Sequence, residues 1–487
     1  MFCKNRLRYE IEIVGITYKR RNGSFMQLKL RQLFAQVDMT EGQPWKKIVA
    51  FTIPMLIGNI AQQLYNTVDS IVVGRYVGDN ALAAVGSASP MLNLLLVLFV
   101  GISMGASIMV AQYFGSRDRE NLSKTIGSTI TLTAASSIFL MIFGSIIIRP
   151  VLHMLNTPDT IIDWCASYLF ILLMGISGLA YYNILCGVLR GLGDSLSALV
   201  YLLIATVINI VLDVWFVAGL NMGVAGVALA TVIAQMISAV MCVLKLRTMT
   251  TLFDMKLSYL KPHKENLMTV LRLGLPSGIT QAIFSLAMVV VQSLTNSFGE
   301  MVIAANVIIM RVDGFAMMPN FSFGTAMTTY AGQNVGARQL DRVRQGAKQG
   351  TFIAVGTSAV ITGTILLFGR YLMAIFTNTA DLVILSDNMM KILAAGYIAM
   401  AITQSLSGVM RGAGDTMTPM WISMITTVAI RVPLAYGIAY ISKTPELPQG
   451  RYECIWISLL ISWVLGAIIT MFCYKLGYWK KQALKNL

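Results

Sequence analysis

Long apolar runs separated by short polar connections occur twelve times along this chain, with cores near 48–73, 85–112, 125–148, 161–186, 196–218 and 223–246, then 270–298, 302–330, 348–370, 387–410, 417–441 and 454–476. A helix needs about 20 mostly apolar residues, at 1.5 Å each, to cross a hydrocarbon layer of about 30 Å. Each run meets that length, and a lone membrane segment must satisfy its own backbone hydrogen bonds, which a helix does. The pattern predicts an all-α integral membrane protein with twelve transmembrane helices.

The pattern also repeats. Gly187 to Ser195 reads Gly-Val-Leu-Arg-Gly-Leu-Gly-Asp-Ser, and Gly408 to Thr416 reads Gly-Val-Met-Arg-Gly-Ala-Gly-Asp-Thr, a shift of 408 − 187 = 221 residues. Gln112 to Gly115 returns at the same shift as Gln333 to Gly336. A unit this long exceeds any solenoid repeat of about 20 to 50 residues. Two pseudo-symmetric six-helix bundles follow, and because six is even the repeat is parallel, with its axis along the membrane normal. The expected layout is a first lobe over 39–247, a connection over 248–269 and a second lobe over 270–487.

Composition agrees, with 56% hydrophobic and 12% charged residues and a mean hydropathy of +0.70. The net charge of +15 falls mostly in the connections after even-numbered spans: Arg117, Arg119 and Lys124; Lys245, Arg247, Lys256, Lys261 and Lys264; Arg338, Arg342, Arg344 and Lys348. Connections after odd-numbered spans carry few, Arg75, Arg149, Arg370, Lys443 and Arg451. The positive-inside bias then places both termini in the cytoplasm of a cell bounded by a plasma (inner) membrane. Charge spread in this way is a membrane anchoring pattern, not a nucleic-acid face. Residues 1–38 are basic and lack an apolar run long enough for a signal peptide or span. Met39-Thr40-Glu41-Gly42 reads as a natural beginning, so the upstream stretch is expected to be disordered or untranslated.

Six scattered cysteines and two distant histidines, His153 and His263, offer no thiolate or imidazole cluster. No nucleophile arrangement is evident either, so the reading is a transporter, not an enzyme, without cofactor. The string GxxxxGK[ST] is absent, which argues against direct use of ATP. In the Arg-Gly-x-Gly-Asp loops the glycines suit a tight reversal, and Asp194 or Asp415 can cap the next helix.

Chemistry is expected where the two copies disagree. Asp69 in the first span and Asp213 in the fifth face Val291 and Leu434 at the corresponding positions of the second copy. An acid inside a span costs about 2.5 to 3.5 kcal/mol on insertion scales and marks ion pathways and proton relays. Both acids stand six residues from the expected outer boundary, by 75 − 69 and 219 − 213, or about 9 Å deep. Asn59, Gln62, Asn66 and Asp69 form one stripe, Asn209 and Asp213 another. Thr231 and Tyr168 reach a similar depth, closing an oxygen-lined chamber. Two acids there can take a proton, and the same oxygens suit a monovalent cation such as sodium. Either event removes negative charge and lets helices repack.

The second half presents a different lining, with Gln281, Ser285 and Gln292 in the seventh span and Asn306, Met310, Asp313, Met317 and Asn320 in the eighth. Methionine suits surfaces that accept many shapes. Asp313 has Arg311 or Arg431 as candidate partners.

These features together resemble the multidrug and toxic compound extrusion (MATE) family of the MOP flippase superfamily. The resemblance runs from Pro44 to Lys481 and rests on Gln62 to Gly74 (Gln-Gln-Leu-Tyr-Asn-Thr-Val-Asp-Ser-Ile-Val-Val-Gly), both Arg-Gly-x-Gly-Asp loops, Gln333 to Ala337 and the duplicated plan. It implies export of small organic cations or drugs by antiport with sodium ions or protons, by two lobes that rock around a cleft, in a lipid-embedded monomer. The match is to the DinF-like branch: Asp69 and Asp213 fall on its essential carboxylates, Asn209 and Thr231 on its cation ligands. Gln62, Tyr65, Tyr168 and Asn183 fall on the surrounding network. The acidic residue that the NorM-type branch carries in its seventh span is missing, since Gln281 and Ser285 are the polar residues there. The alternative within the superfamily is a flippase of lipid-linked oligosaccharides or precursors, for which a basic cavity is expected.

Overall fold

The computed structural model describes residues 36–154, 157–445 and 447–485; most of the basic stretch expected at 1–38 lies outside them. The spans follow in order. The first half comprises α1 (Pro44–Tyr76), α2 (Asp79–Gly115), α3 (Arg119–Met154), α4 in two pieces (Asp159–Met174 and Ile176–Gly191), α5 (Ser195–Asp213, carried on by a π-helical turn Val214–Gly219) and α6 (Gly223–Thr248). The second comprises α7 (Lys264–Asn296), α8 (Glu300–Gly336), α9 (Leu340–Ala374), α10 in two pieces (Ala380–Ala394 and Gly396–Gly412), α11 (Met417–Met424, a π-helical turn Ile425–Arg431, then Val432–Ile441) and α12 (Cys454–Leu476). A short α13 (Tyr478–Lys485) follows. Among the described residues ten helices are long and apolar enough to cross a membrane, and the two bent pairs, angled 55° in α4 and 43° in α10, bring the number to twelve with each pair taken as one span. Most helices outrun their apolar cores. α7 begins inside the expected connection, since Lys264 to Arg272 continue the helix beyond the apolar run.

The repeat reappears in three dimensions at the face that carries the Arg-Gly-x-Gly-Asp loops, called here the basic face. There α2 crosses α8 so closely that a Cβ on Gly115 would overlap the Gln333 carbonyl, and one on Gly336 the Gln112 carbonyl. Only glycine permits that approach. Each glutamine then reaches the other half's loop: Gln112 Nε2 donates to Gly412 O at 2.9 Å, and Gln333 Nε2 to Gly191 O at 3.0 Å. The loops are tight turns whose second glycines, Gly193 and Gly414, have φ of 87° and 93°, a region costly for residues with a Cβ. Asp194 accepts from Ser197 N and Asp415 from Thr418 N, capping α5 and α11 as expected.

A short segment before α1 ties the halves further. Val37 N donates to Gly193 O, Met39 N to Gln333 Oε1, and Asn334 Nδ2 to Met39 O. Asp38 pairs with Arg117, and the Met39 side chain is fully buried. Further from the basic face, Gly101 and Gly105 of α2 lie against Gly274 and Val270 of α7. Midway, Asn59 Nδ2 of α1 donates to Ser322 Oγ of α8 at 2.9 Å. α1 also packs on α5, so it touches both lobes.

Candidate cation site and the facing lobe

Asp69 and Asp213 come together. Asp213, the last residue of α5 before its π-helical turn, is fully buried; Asp69 on α1 is half-buried. Asn209, one turn before Asp213 on α5 and fully buried, stands between them. With its amide nitrogen turned inward it donates to Asp69 Oδ1 and to Asp213 Oδ2, at 3.1 Å each. The two carboxyl groups are within hydrogen-bonding reach of one another. Asp213 Oδ1 is buried and accepts no hydrogen bond among the described residues. A buried acceptor without a partner is costly, on the order of 1–3 kcal/mol.

Two tyrosines wall the chamber. Tyr65 Oη lies 3.3 Å from Thr231 Oγ1, joining α1 to α6. Tyr168 of α4 stands close to both carboxyls and to Tyr65. Gln62 is half-buried one turn further along α1, and Asn66 is exposed. Asn183 lies apart from the carboxyls' hydrogen bonds: its side chain donates to Leu179 O of its own helix at 2.8 Å. Gln235 was not singled out by the sequence. It is buried one turn beyond Thr231 on the same face of α6, and its Oε1 has no partner among the described residues. The signal available was that i, i+4 spacing.

The arrangement can hold a proton or a small hard cation. An amide can turn over. Its nitrogen facing in satisfies two carboxylates; its oxygen facing in adds a neutral ligand beside them and the Thr231 hydroxyl.

In the second half, Asp313 Oδ1 accepts from Tyr397 Oη of α10 at 2.8 Å. Neither Arg311 nor Arg431 makes an ion pair with it among the described residues. Arg431 is near enough to interact with its charge, whereas Arg311 is exposed. Tyr397 went unnoticed because a tyrosine in a span reads as core, and it lies 84 residues from its partner. Asn306 Nδ2 approaches Gln292 Oε1 at 3.3 Å and Met310 Sδ at 3.8 Å. Met310 is exposed, but Met317 is buried in the lobe's apolar core. Gln281 and Ser285 are exposed on α7, with Ser285 Oγ donating to Gln281 O. Asp387 is a buried acid that the sequence did not single out; it is met by Lys391 Nζ at 2.7 Å and by Arg370 Nε at 3.7 Å.

The chain matches the model of the family described as MatE twice, over residues 54–215 and 276–437, once per half. It is 29% identical over 450 residues to "Probable multidrug resistance protein YoeA" of Bacillus subtilis, covering 91% of this chain and 96% of that protein. It is 26% identical over 347 residues to "DNA damage-inducible protein F" of Escherichia coli, covering 70% and 75%. Among solved structures, "Crystal structure of MATE in the bent conformation" superposes with a TM-score of 0.85 at 25% identity, covering 92% of this chain and 99% of that one. A MOP superfamily transporter from Pyrococcus furiosus, whose title speaks of reverse polarity of the binding pocket, gives 0.83 at 25% identity, covering 91% and 97%.

Proposed function

The chain belongs to the MatE family of membrane transporters, and from that premise we propose that it exports organic cations and amphipathic drugs from the cell by antiport with sodium ions or protons. The observation that carries this is the convergence of Asp69 and Asp213 on Asn209, in one lobe only. Asp69 and Asp213 are the coupling carboxylates; Asn209 and Thr231 complete the oxygen set for a sodium ion; Gln62, Tyr65, Asn66, Tyr168 and Asn183 support it. Relatives named as probable multidrug resistance proteins favour drugs as cargo.

Discharge of the carboxyl pair, by a proton or a cation, removes the repulsion between the acids of α1 and α5 and so changes how tightly the two helices pack at that level. Because α1 also bonds Ser322 of the other lobe, a shift there bears directly on the lobe interface. In this scheme the basic face is cytoplasmic, in a plasma membrane, and the lobes 39–247 and 270–487 of a monomer move about the 248–269 connection. Cargo meets the second lobe near Gln281, Ser285, Asn306, Met310 and Asp313, while Met317 lies in that lobe's apolar core. A flippase of anionic lipid-linked sugars is disfavoured by the paired acids of the first lobe.

The test is efflux of a cationic dye from cells expressing Asp69→Asn or Asp213→Asn at native levels. Efflux falls to background in both; native efflux in both overturns the coupling assignment.

A further inference from the structure

Two of the scattered cysteines meet. Cys186 in the second piece of α4 and Cys242 in α6 are 56 residues apart in the chain, yet their sulfurs lie 3.9 Å from one another and both side chains are buried. Both are free thiols.

Helix packing brings them there. The second piece of α4 and α6 run the same way, and Gly175 and Gly178 let them close until an added Cβ would overlap Val232 and press on the Met236 backbone. Further along, that contact sets Cys186 against Cys242 among Leu185, Leu189, Ala239 and Leu246. Each thiol stands within two turns of the basic-face end of its helix. Reactive thiols sit beside cations, and here Arg190 follows Cys186 by one turn of α4 while Lys245, three residues after Cys242, pairs with the cap Asp194.

The second lobe lacks the pair. Cys186 becomes Ser407 at the 221-residue shift, and Cys242 becomes Cys473 at 473 − 242 = 231, the offset between the starts of α6 and α12, 454 − 223. The twin packs with one thiol, so packing does not require two.

We propose that Cys186 and Cys242 are a reversible redox site, oxidised by hydrogen peroxide to a disulfide that ties α4 to α6 and arrests transport. One sulfur attacks a peroxide oxygen, the O–O bond breaks, and the departing hydroxide takes that thiol's proton as water, leaving a sulfenic acid. The other sulfur then attacks the first; the S–S bond forms, the S–O bond breaks, and a second water carries off the remaining thiol proton. The two thiols have lost two electrons and the peroxide has gained them. A disulfide holds its sulfurs about 2.05 Å apart, so the pair closes by about 2 Å. Disulfides that form on a cytosolic side are transient and redox-sensing.

The arrest rests on the transport reading. Gly191, at the end of the same helix as Cys186, gives its carbonyl to Gln333 of the other half, and Gly193 gives its own to Val37. A covalent tie just before that junction takes from the end of α4 the freedom to part from Gln333 when the basic face opens.

The experiment treats the purified full chain in lipid nanodiscs with hydrogen peroxide and reads the cross-link by peptide mass without reductant. The native chain yields a Cys186 to Cys242 cross-link lighter by two hydrogen atoms, which dithiothreitol reverses; Cys473→Ser keeps it and Cys186→Ser abolishes it. In proteoliposomes dye efflux by the native chain falls as the cross-linked fraction rises and returns with dithiothreitol, whereas Cys186→Ser and Cys242→Ser transport at the native rate with or without peroxide. Two thiols still free after treatment, oxidation of either to a sulfinic acid without a cross-link, efflux unchanged in the cross-linked chain, or an equal loss of efflux in Cys186→Ser overturns the proposal. The native measurement needs no variant. Absence of efflux from the reduced native chain instead fails the transport reading, and the cross-link still stands or falls by its own mass.

Discussion

The two lobes share a plan and differ in where they depart from it. Both have a bent fourth span, a capped Arg-Gly-x-Gly-Asp loop and a glutamine reaching into the opposite loop. In the first lobe the π-helical turn follows Asp213 near the end of α5; in the second it ends at Arg431, well inside α11. One lobe therefore gathers two acids about an amide, and the other holds an acid and an arginine apart. Packing needs account for what the copies share. They do not account for charges that only one copy carries, since the twin packs with Val291, Leu434, Leu92 and Ile210 in those places.

The largest effect is expected at the acids: replacing Asp69 or Asp213 with Asn abolishes transport, while Asp415→Asn leaves it measurable. Equal losses at all three would erase the distinction between coupling acids and capping acids. Next comes a difference between the caps themselves. Asp194 is buried and faces Lys245 Nζ at 3.3 Å, whereas in the second lobe, where α12 starts 454 − 223 = 231 residues after α6, the residue matching that lysine is Leu476. Lys245→Met is expected to cost about 3 kcal/mol, the low end for breaking a buried pair, because Ser197 still serves the carboxylate. Thermal unfolding in detergent reads this, and a melting temperature unchanged from native would mean the lysine adds nothing.

Gly115→Val probes the crossing that the lobes share, with an expected cost of about 1–3 kcal/mol from overpacking. Gly336→Val should match it, and a cost at one glycine alone would show that the contact is less symmetric than its geometry. The smallest effect belongs to Asp38. Burial works against its ionisation, but hydrogen bonds from Thr40 and the charge and hydrogen bond of Arg117 prevail and lower its pKa below the ordinary 3.8. A depressed acid lends stability that is fully present above the ordinary value and lost as pH falls below it. The contribution is under about 1 kcal/mol at this partly exposed pair. Melting of the native chain and Asp38→Asn should differ slightly at neutral pH and converge below pH 3.8; a gap that widens in acid contradicts the sign.

Much of this was legible in the residues. Apolar run lengths predicted the spans, the 221-residue shift predicted a matching capped loop in each half, and depth counting along α1 and α5 put Asp69 and Asp213 on one level. What periodicity does not encode is which distant side chains meet. Tyr397 meets Asp313, and Asp38 meets Arg117, through tertiary packing that leaves no local spacing signal. Val37 and Asp38 belong to the folded body although the sequence favoured Met39 as its beginning, because their partners Gly193 and Arg117 lie far along the chain. The bend in α10 falls at Ala395, a good helix former, where Thr362 Oγ1 accommodates the break by donating to Ala394 O.

The most direct measurement of the central claim is dye efflux from proteoliposomes under separately imposed sodium and pH gradients. The native chain should drive efflux with at least one of them, and Asp69→Asn and Asp213→Asn with neither. Gradient-driven efflux that survives in both variants would contradict the assignment of coupling to the acid pair of the first lobe.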